Sequence, residues 1–183
     1  MKTPQLLAAA TLAALSTAAS ASTVVNQAIT EAEVLAAQRA WCQALVDIST
    51  TGEKSGQAAA KALAERVIDS AYGYQMGAVL FKPTLTVAPQ TFRTTRAGAL
   101  AYFVGGDSAF PKDTGFALKG WTKCESRNAA VFISGDSATT MGNVMITGKD
   151  GKVTTVDKTW KFVKDDAGKL RIVVHHSSLP FSG

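Results

Sequence analysis

The stretch "ATTMGNVMITGKDGKVTTVDKTWKFV", residues 138–163, decides the fold class. Two runs rich in Val, Ile, Thr and aromatic residues flank "GKDGK", a turn sequence that suits a hairpin between antiparallel strands. The same pattern continues on both sides: "FALKGWTKCESRNAAVFI" (116–133) runs to the turn "SGDS", and "KDDAGK" leads into "LRIVVHHSSLP" (170–180). Four long strands joined in order by turns predict an antiparallel meander. Val144, Ile146 and Trp160 are read as apolar residues left on its outer face, which predicts a homodimer formed there.

Ahead of the strands the periodicity is helical. In "TEAEVLAAQRAWCQALVDIS", Val34, Trp41, Leu45 and Ile48 form one apolar stripe, and Thr30 followed by Glu33 is a capping box. The first helix is expected over 31–49, broken by "TTGEKSG". A second, "QAAAKALAERVIDSAYG", continues through Leu63, Val67, Ile68 and Ala71 until Gly73 ends it. "AVLFKPTLTV" places β-branched and aromatic residues around Pro83 and reads as an edge strand or a strand end. "TTRAGALAYFVGG" is a short third helix, started by Thr94 or Thr95 and stopped by Gly105 and Gly106. Three helices packed on one face of a curved antiparallel sheet predict an α+β cone, with any site lying where the third helix and the concave face diverge.

The bulk composition bounds the function. With 183 residues, 46% hydrophobic and 18% charged, one globular domain is expected. Lys2, an apolar run over 6–15 and the small residues Ala19, Ser20 and Ala21 have the layout of a secretory signal peptide. Residues 1–21 are expected to be removed, leaving a single domain over 22–183 that is periplasmic or secreted and carries no membrane segment. The net charge of +5 is scattered rather than clustered, which argues against a nucleic-acid partner. An oxidising compartment permits a disulfide between Cys42 and Cys124; two separately packed thiols are the alternative.

Several reactions lose their signatures. No dinucleotide fingerprint, P-loop or nucleophile elbow is present. The only two histidines, His175 and His176, are adjacent in the last strand, so their rings should face opposite ways and not share one ion. A three-histidine zinc site is impossible by count, and a set of Cys42, Cys124 and His175 remains only formally open. Neutral polar groups are left: Thr84, Tyr102, Ser177, Ser178 and an imidazole. Such groups can hold a small polar molecule and move protons. Each has an ordinary structural alternative: a turn hydroxyl for Thr84, a core aromatic for Tyr102, a strand end for the His-Ser pair. By strand parity His175 shares a face with Ser177, and His176 with Ser178.

In order and spacing, "AYGYQMGAVLFKPTLT", "FRTTRAGALAYFVGG", "GFALKGW" and "HHSSLPF" resemble the iota-class carbonic anhydrases. That family is built on a domain similar to the calcium/calmodulin-dependent kinase II association domain, within the NTF2-like superfold. The resemblance covers about 28–181. It implies reversible hydration of CO2 to bicarbonate and a proton in a pocket without a metal cofactor, leaving zinc and manganese as open alternatives. It further implies that Thr84, Tyr102 and Ser177 contact bicarbonate, that His175 lines the same face and assists proton movement, and that the chain forms a homodimer. Two rivals are a non-catalytic association or anion-binding module and an NTF2-like isomerase or dehydratase. The latter needs a pocket carboxylate, and the quoted pocket stretches supply none.

Overall fold

The computed structural model describes residues 27–182, so the expected signal segment lies outside the described residues. Helix α1 is Glu31–Ala71, β1 is Leu80–Lys82, α2 is Arg96–Val104, β2 is Trp121–Ser134, β3 is Ser137–Gly148, β4 is Val153–Lys164 and β5 is Leu170–Ser178. The capping box forms as expected: Glu33 N–H donates to Thr30 Oγ1, and Thr30 N–H donates to the Glu33 carboxylate.

The first two expected helices are one helical run. Its only non-helical residue is Gly56, at φ 82° and ψ 171°, so "TTGEK" stays helical and the chain kinks at Gly56. Two helical elements therefore replace three. Tertiary packing overrides the weak propensity of Thr50, Thr51 and Gly52. A Cβ on Gly52 would lie 2.7 Å from Leu118 Cδ2, so the missing side chain lets the helix approach the 3-10 turn Phe116–Leu118. That turn is a second departure, because the first long strand starts at Trp121 rather than Phe116.

The sheet order is β1-β5-β4-β3-β2, with β1 parallel to β5 and every other pair antiparallel. The meander forms as read, and β1 is an edge strand ended by Pro83. Register shifts at Asn128/Ala130 and Lys161/Phe162 accompany the curvature of the sheet. The inner face of the sheet carries Val144, Ile146, Val156, Trp160 and Phe162, all buried against Trp41, Leu45 and Ile68 of α1. This corrects the assignment of Val144, Ile146 and Trp160 to the outer face: strand parity set them together, and the helices cover that side. Cys42 and Cys124 form a disulfide that joins α1 to β2.

Candidate active site

Three elements bring hydroxyls together. Lys82, the last residue of β1, is in register with His176 on β5, and Thr84, two residues further on past Pro83, reaches the Ser177 side chain. Thr84 Oγ1 and Ser177 Oγ are 2.5 Å apart, and Lys82 Nζ donates to the Ser177 carbonyl at 3.1 Å. Tyr102 comes from the last turn of α2, whose N-cap Thr95 accepts from Gly98 N–H. Its ring stacks on Phe116 at 5.3 Å and meets Phe81 edge-on, and its OH accepts a long bond from Leu85 N–H at 3.4 Å. Burial pushes the Tyr102 hydroxyl far above its ordinary range, so it stays a neutral donor.

The loop over this cluster is clamped from below. Arg93 pairs with Asp113 through Nε and Nη2 at 2.9 and 2.7 Å, with both side chains almost fully buried. Its backbone N–H donates to Phe81 O, which ties the loop to β1. A cleft of about 330 Å³, lined by Leu85, Val87, Pro89, Arg93 and Asp113 among others, opens beside the loop. The wider cleft of about 820 Å³ lies elsewhere and is edged by charges already paired with one another, Asp69 with Arg96 and Asp165 with Arg171. Convergence of hydroxyls, rather than width, distinguishes the candidate site.

His175 faces inward with Ser177, as parity requires, while His176 is exposed on the outer face. It makes no hydrogen bond to the three hydroxyls. Instead its ring stacks on Phe81 at 4.3 Å, Nδ1 lies 2.8 Å from Tyr72 OH, and Nε2 lies 2.7 Å from Lys158 Nζ. Trp41 Nε1 donates to the same Tyr72 oxygen at 2.9 Å. Burial, reinforced by Lys158, holds the His175 imidazole well below its ordinary value. Desolvation alone lowers the Lys158 amine from 10.5 to about 7, between the rings of Trp41 and Trp160.

Lys158, Tyr72 and Trp41 were not singled out in the sequence as site residues. Lys158 did carry a signal: in "VDKTWKF", Val156, Lys158, Trp160 and Phe162 alternate onto one face, so a lysine occupies a core position. Among the described residues no three of His, Cys, Asp and Glu come together as a metal-ligand set. The disulfide also removes the formally open Cys42, Cys124 and His175 arrangement, because neither sulfur is left as a thiolate.

Residues 32–179 match the family described as metal-independent carbonic anhydrase. A metal-independent carbonic anhydrase of Nostoc sp. strain PCC 7120 is 72% identical over 158 residues, covering 86% of this chain and 77% of that protein. The crystal structure of a cyanobacterial iota-carbonic anhydrase complexed with bicarbonate superposes with a TM-score of 0.87 at 69% identity, covering 89% of this chain and 99% of the other. A calcium/calmodulin-dependent protein kinase II association-domain protein from Xanthomonas campestris, at 23% identity, shares the fold alone, with a TM-score of 0.52 over 89% of this chain and 100% of that one. The architecture is thus the α+β, NTF2-like one that the resemblance implied. Hydroxyls from a strand end, a helix and a second strand meet on that scaffold, and the chain belongs to the metal-independent carbonic anhydrase family.

Proposed function

We propose that Thr84, Tyr102 and Ser177 form the site at which this carbonic anhydrase binds bicarbonate and hydrates CO2. The observation that carries the assignment is the 2.5 Å contact of Thr84 Oγ1 with Ser177 Oγ beside Tyr102, three hydroxyls delivered by three elements. Bicarbonate is a small planar oxyanion, and neutral hydroxyls can donate to its oxygens while accepting from its OH. Charge develops on those oxygens as water attacks carbon, so donors already in place stabilise the transition state without reorganising. Zinc lowers the pKa of its bound water to about 7, far below that of bulk water. A metal-independent enzyme lacks that route, and the proton must leave the water as the new C–O bond forms.

The test is stopped-flow CO2 hydration. Tyr102→Phe and Ser177→Ala should each lose about 10²- to 10³-fold, the range for removing one preorganised donor, with His176→Ala close to wild type. Dialysis against a strong chelator should leave the rate unchanged. Normal hydration by both hydroxyl variants would remove the site assignment.

The same reading includes export after loss of 1–21, supported by the Cys42–Cys124 disulfide, a bond typical of oxidising compartments. A mature N-terminus at or near Ser22 in exported protein is the check. It also includes a homodimer formed through the outer face of the sheet. Support comes from Phe132 and Met141, exposed on neighbouring positions of β2 and β3, in place of the inward residues first considered.

A further inference from the structure

The hydroxyl cluster leaves one question open, namely which resident group takes the proton. Tyr102 is too weak a base and too weak an acid to exchange it near neutrality, and serine and threonine hydroxyls are weaker still. Asp113, from the segment between α2 and the 3-10 turn, is held in its ion pair with Arg93. His175 is occupied on both sides, and the bonding pattern fixes how.

An indole N–H can only donate, so Tyr72 O must accept from Trp41. The single tyrosine proton is then free to point at His175 Nδ1, which accepts it. That makes Nε2 the protonated ring nitrogen, donating to Lys158 Nζ, and a nitrogen that accepts a hydrogen bond is a neutral amine. The opposite assignment, a charged lysine donating to Nε2, would turn Nδ1–H toward Tyr72 O and leave the tyrosine proton without a partner in a fully buried site. With Lys158 uncharged, the Trp41 indole N–H, the Tyr72 hydroxyl and both His175 nitrogens are all paired, and the remaining amine hydrogens lie over the Trp41 and Trp160 rings.

Lys158 is also the cross-strand partner of Ser177, and both side chains point inward. Directly opposed side chains in an antiparallel pair start only about 5 Å apart at Cβ. From this geometry we propose that Lys158, kept neutral by the Trp41, Tyr72 and His175 chain, accepts the proton released when water attacks CO2. This rests on the hydroxyl-site assignment above and extends it. The water oxygen bonds to carbon, one water O–H bond breaks, and its proton passes through the Ser177 hydroxyl to the Lys158 Nζ lone pair, which gives up its hydrogen bond from His175 Nε2–H to receive it. One carbon–oxygen π bond becomes the lone pair of bicarbonate, and the amine becomes an ammonium. The ammonium then gives its proton to solvent buffer and the neutral amine is restored. Tyr72 and His175 are positioning residues in this scheme, since they set the state of the lysine and do not meet the substrate.

The titratable groups facing Lys158 are His175 from β5 and Tyr72 from the end of α1. Lys82 from β1 reaches the carbonyl of Ser177, the cross-strand partner of Lys158, and Tyr102 from α2 stands at the hydroxyl cluster. Among the described residues no carboxylate hydrogen-bonds to Lys158 or His175, and His175, held well below its ordinary value, titrates at lower pH than the amine, so a midpoint near neutrality belongs to the lysine.

The experiment compares wild type, Lys158→Met and Ser177→Ala by CO2 hydration across pH 5.5–9.5 and by binding of ¹³C-bicarbonate. It adds an NMR titration of the Lys158 side chain in the wild type. Expected are a wild-type rate that rises with pH through one midpoint, a matching NMR midpoint, and a loss of about 10²- to 10⁴-fold in Lys158→Met, the range for a general base. Bicarbonate binding by Lys158→Met should change by no more than a few-fold. A Lys158→Met enzyme of wild-type rate and pH profile overturns the proposal, as does a lysine that stays charged up to pH 9.5. Should Lys158→Met not fold, the titration in wild type decides alone. Wild-type hydration by both Ser177→Ala and Tyr102→Phe would instead sink the hydroxyl site, whereas an inactive Ser177→Ala beside a normal Lys158→Met would sink only the lysine.

Discussion

Lys158 costs the fold stability to the extent that it must shed a proton to be buried. Its folded value of about 7 lies below the unfolded 10.5, so between those values the unfolded chain binds a proton that the folded chain does not. Stability therefore rises with pH across that window, by up to about 1.4 kcal/mol per pH unit. His175, depressed below 6.5, acts in the same sense at lower pH, and folding weakens further as pH falls through that value. Lys158→Met keeps the volume among Trp41 and Trp160 and removes the amine. It should stabilise the protein at pH 7 by about 2 kcal/mol, because the deprotonation cost it removes exceeds the roughly 1 to 3 kcal/mol of leaving the His175 Nε2–H without an acceptor, and flatten the rise toward pH 10. Urea unfolding at pH 7 and pH 9.5 measures both, and a variant less stable than wild type at pH 7 would contradict the argument. The same substitution is expected to gain stability and lose catalysis, the usual trade at a functional residue.

At the scale of elements, the proposed site depends on how short segments are held rather than on the long strands alone. β1 has three residues, and its parallel pairing with β5 is what aligns Thr84 with Ser177. α2 has nine residues and is anchored at its far end by Gln57 Nε2, which donates to Val104 O at 2.7 Å from just beyond the Gly56 kink. The loop between β1 and α2 is fixed by the buried Arg93–Asp113 pair, with Arg93 also lying 4.7 Å over the Phe110 ring. Removing one partner strands the other charge in a dry site. Arg93→Met should therefore cost about 3 to 5 kcal/mol, and in the fraction still folded it should slow hydration, because Leu85 and Thr84 lie on the loop it holds. Thermal unfolding with a parallel rate assay checks this. A melting temperature unchanged within error would show that the pair contributes nothing.

For the molecule as a whole, the helices close one face of the sheet and leave the other exposed. Lys123, Glu125, Met141, Asp157 and Phe132 stand on the exposed side, a polar surface with an apolar centre of the kind that pairs with a second copy. Analytical ultracentrifugation at micromolar concentration should show a dimer, and Phe132→Glu should shift it toward monomer. A wild-type monomer would end this assignment. The disulfide lies away from the three hydroxyls, at the contact of α1 with β2, and bridges residues 82 apart in sequence. Its role is thus to fasten the helical layer to the sheet.

The sequence by itself determined the meander, the capping box at Thr30, the edge character of β1 and the pairing of His175 with Ser177. Each follows from local rules: turn residues, period-two alternation, the fixed φ of proline. The motif resemblance named the family and the three hydroxyls, which periodicity could not do. Tertiary structure decided what covers each face. It kept residues 50–55 helical because Gly52 packs on Leu118, turned "FAL" into a 3-10 segment, and buried Val144, Ile146 and Trp160 where an outer face had been expected. It also moved His175 out of the hydroxyl cluster and into a chain with Tyr72 and Lys158. Those partners come from residues 103 and 17 positions away, and their protonation follows from burial, a property of the packed core that no local stretch of sequence contains.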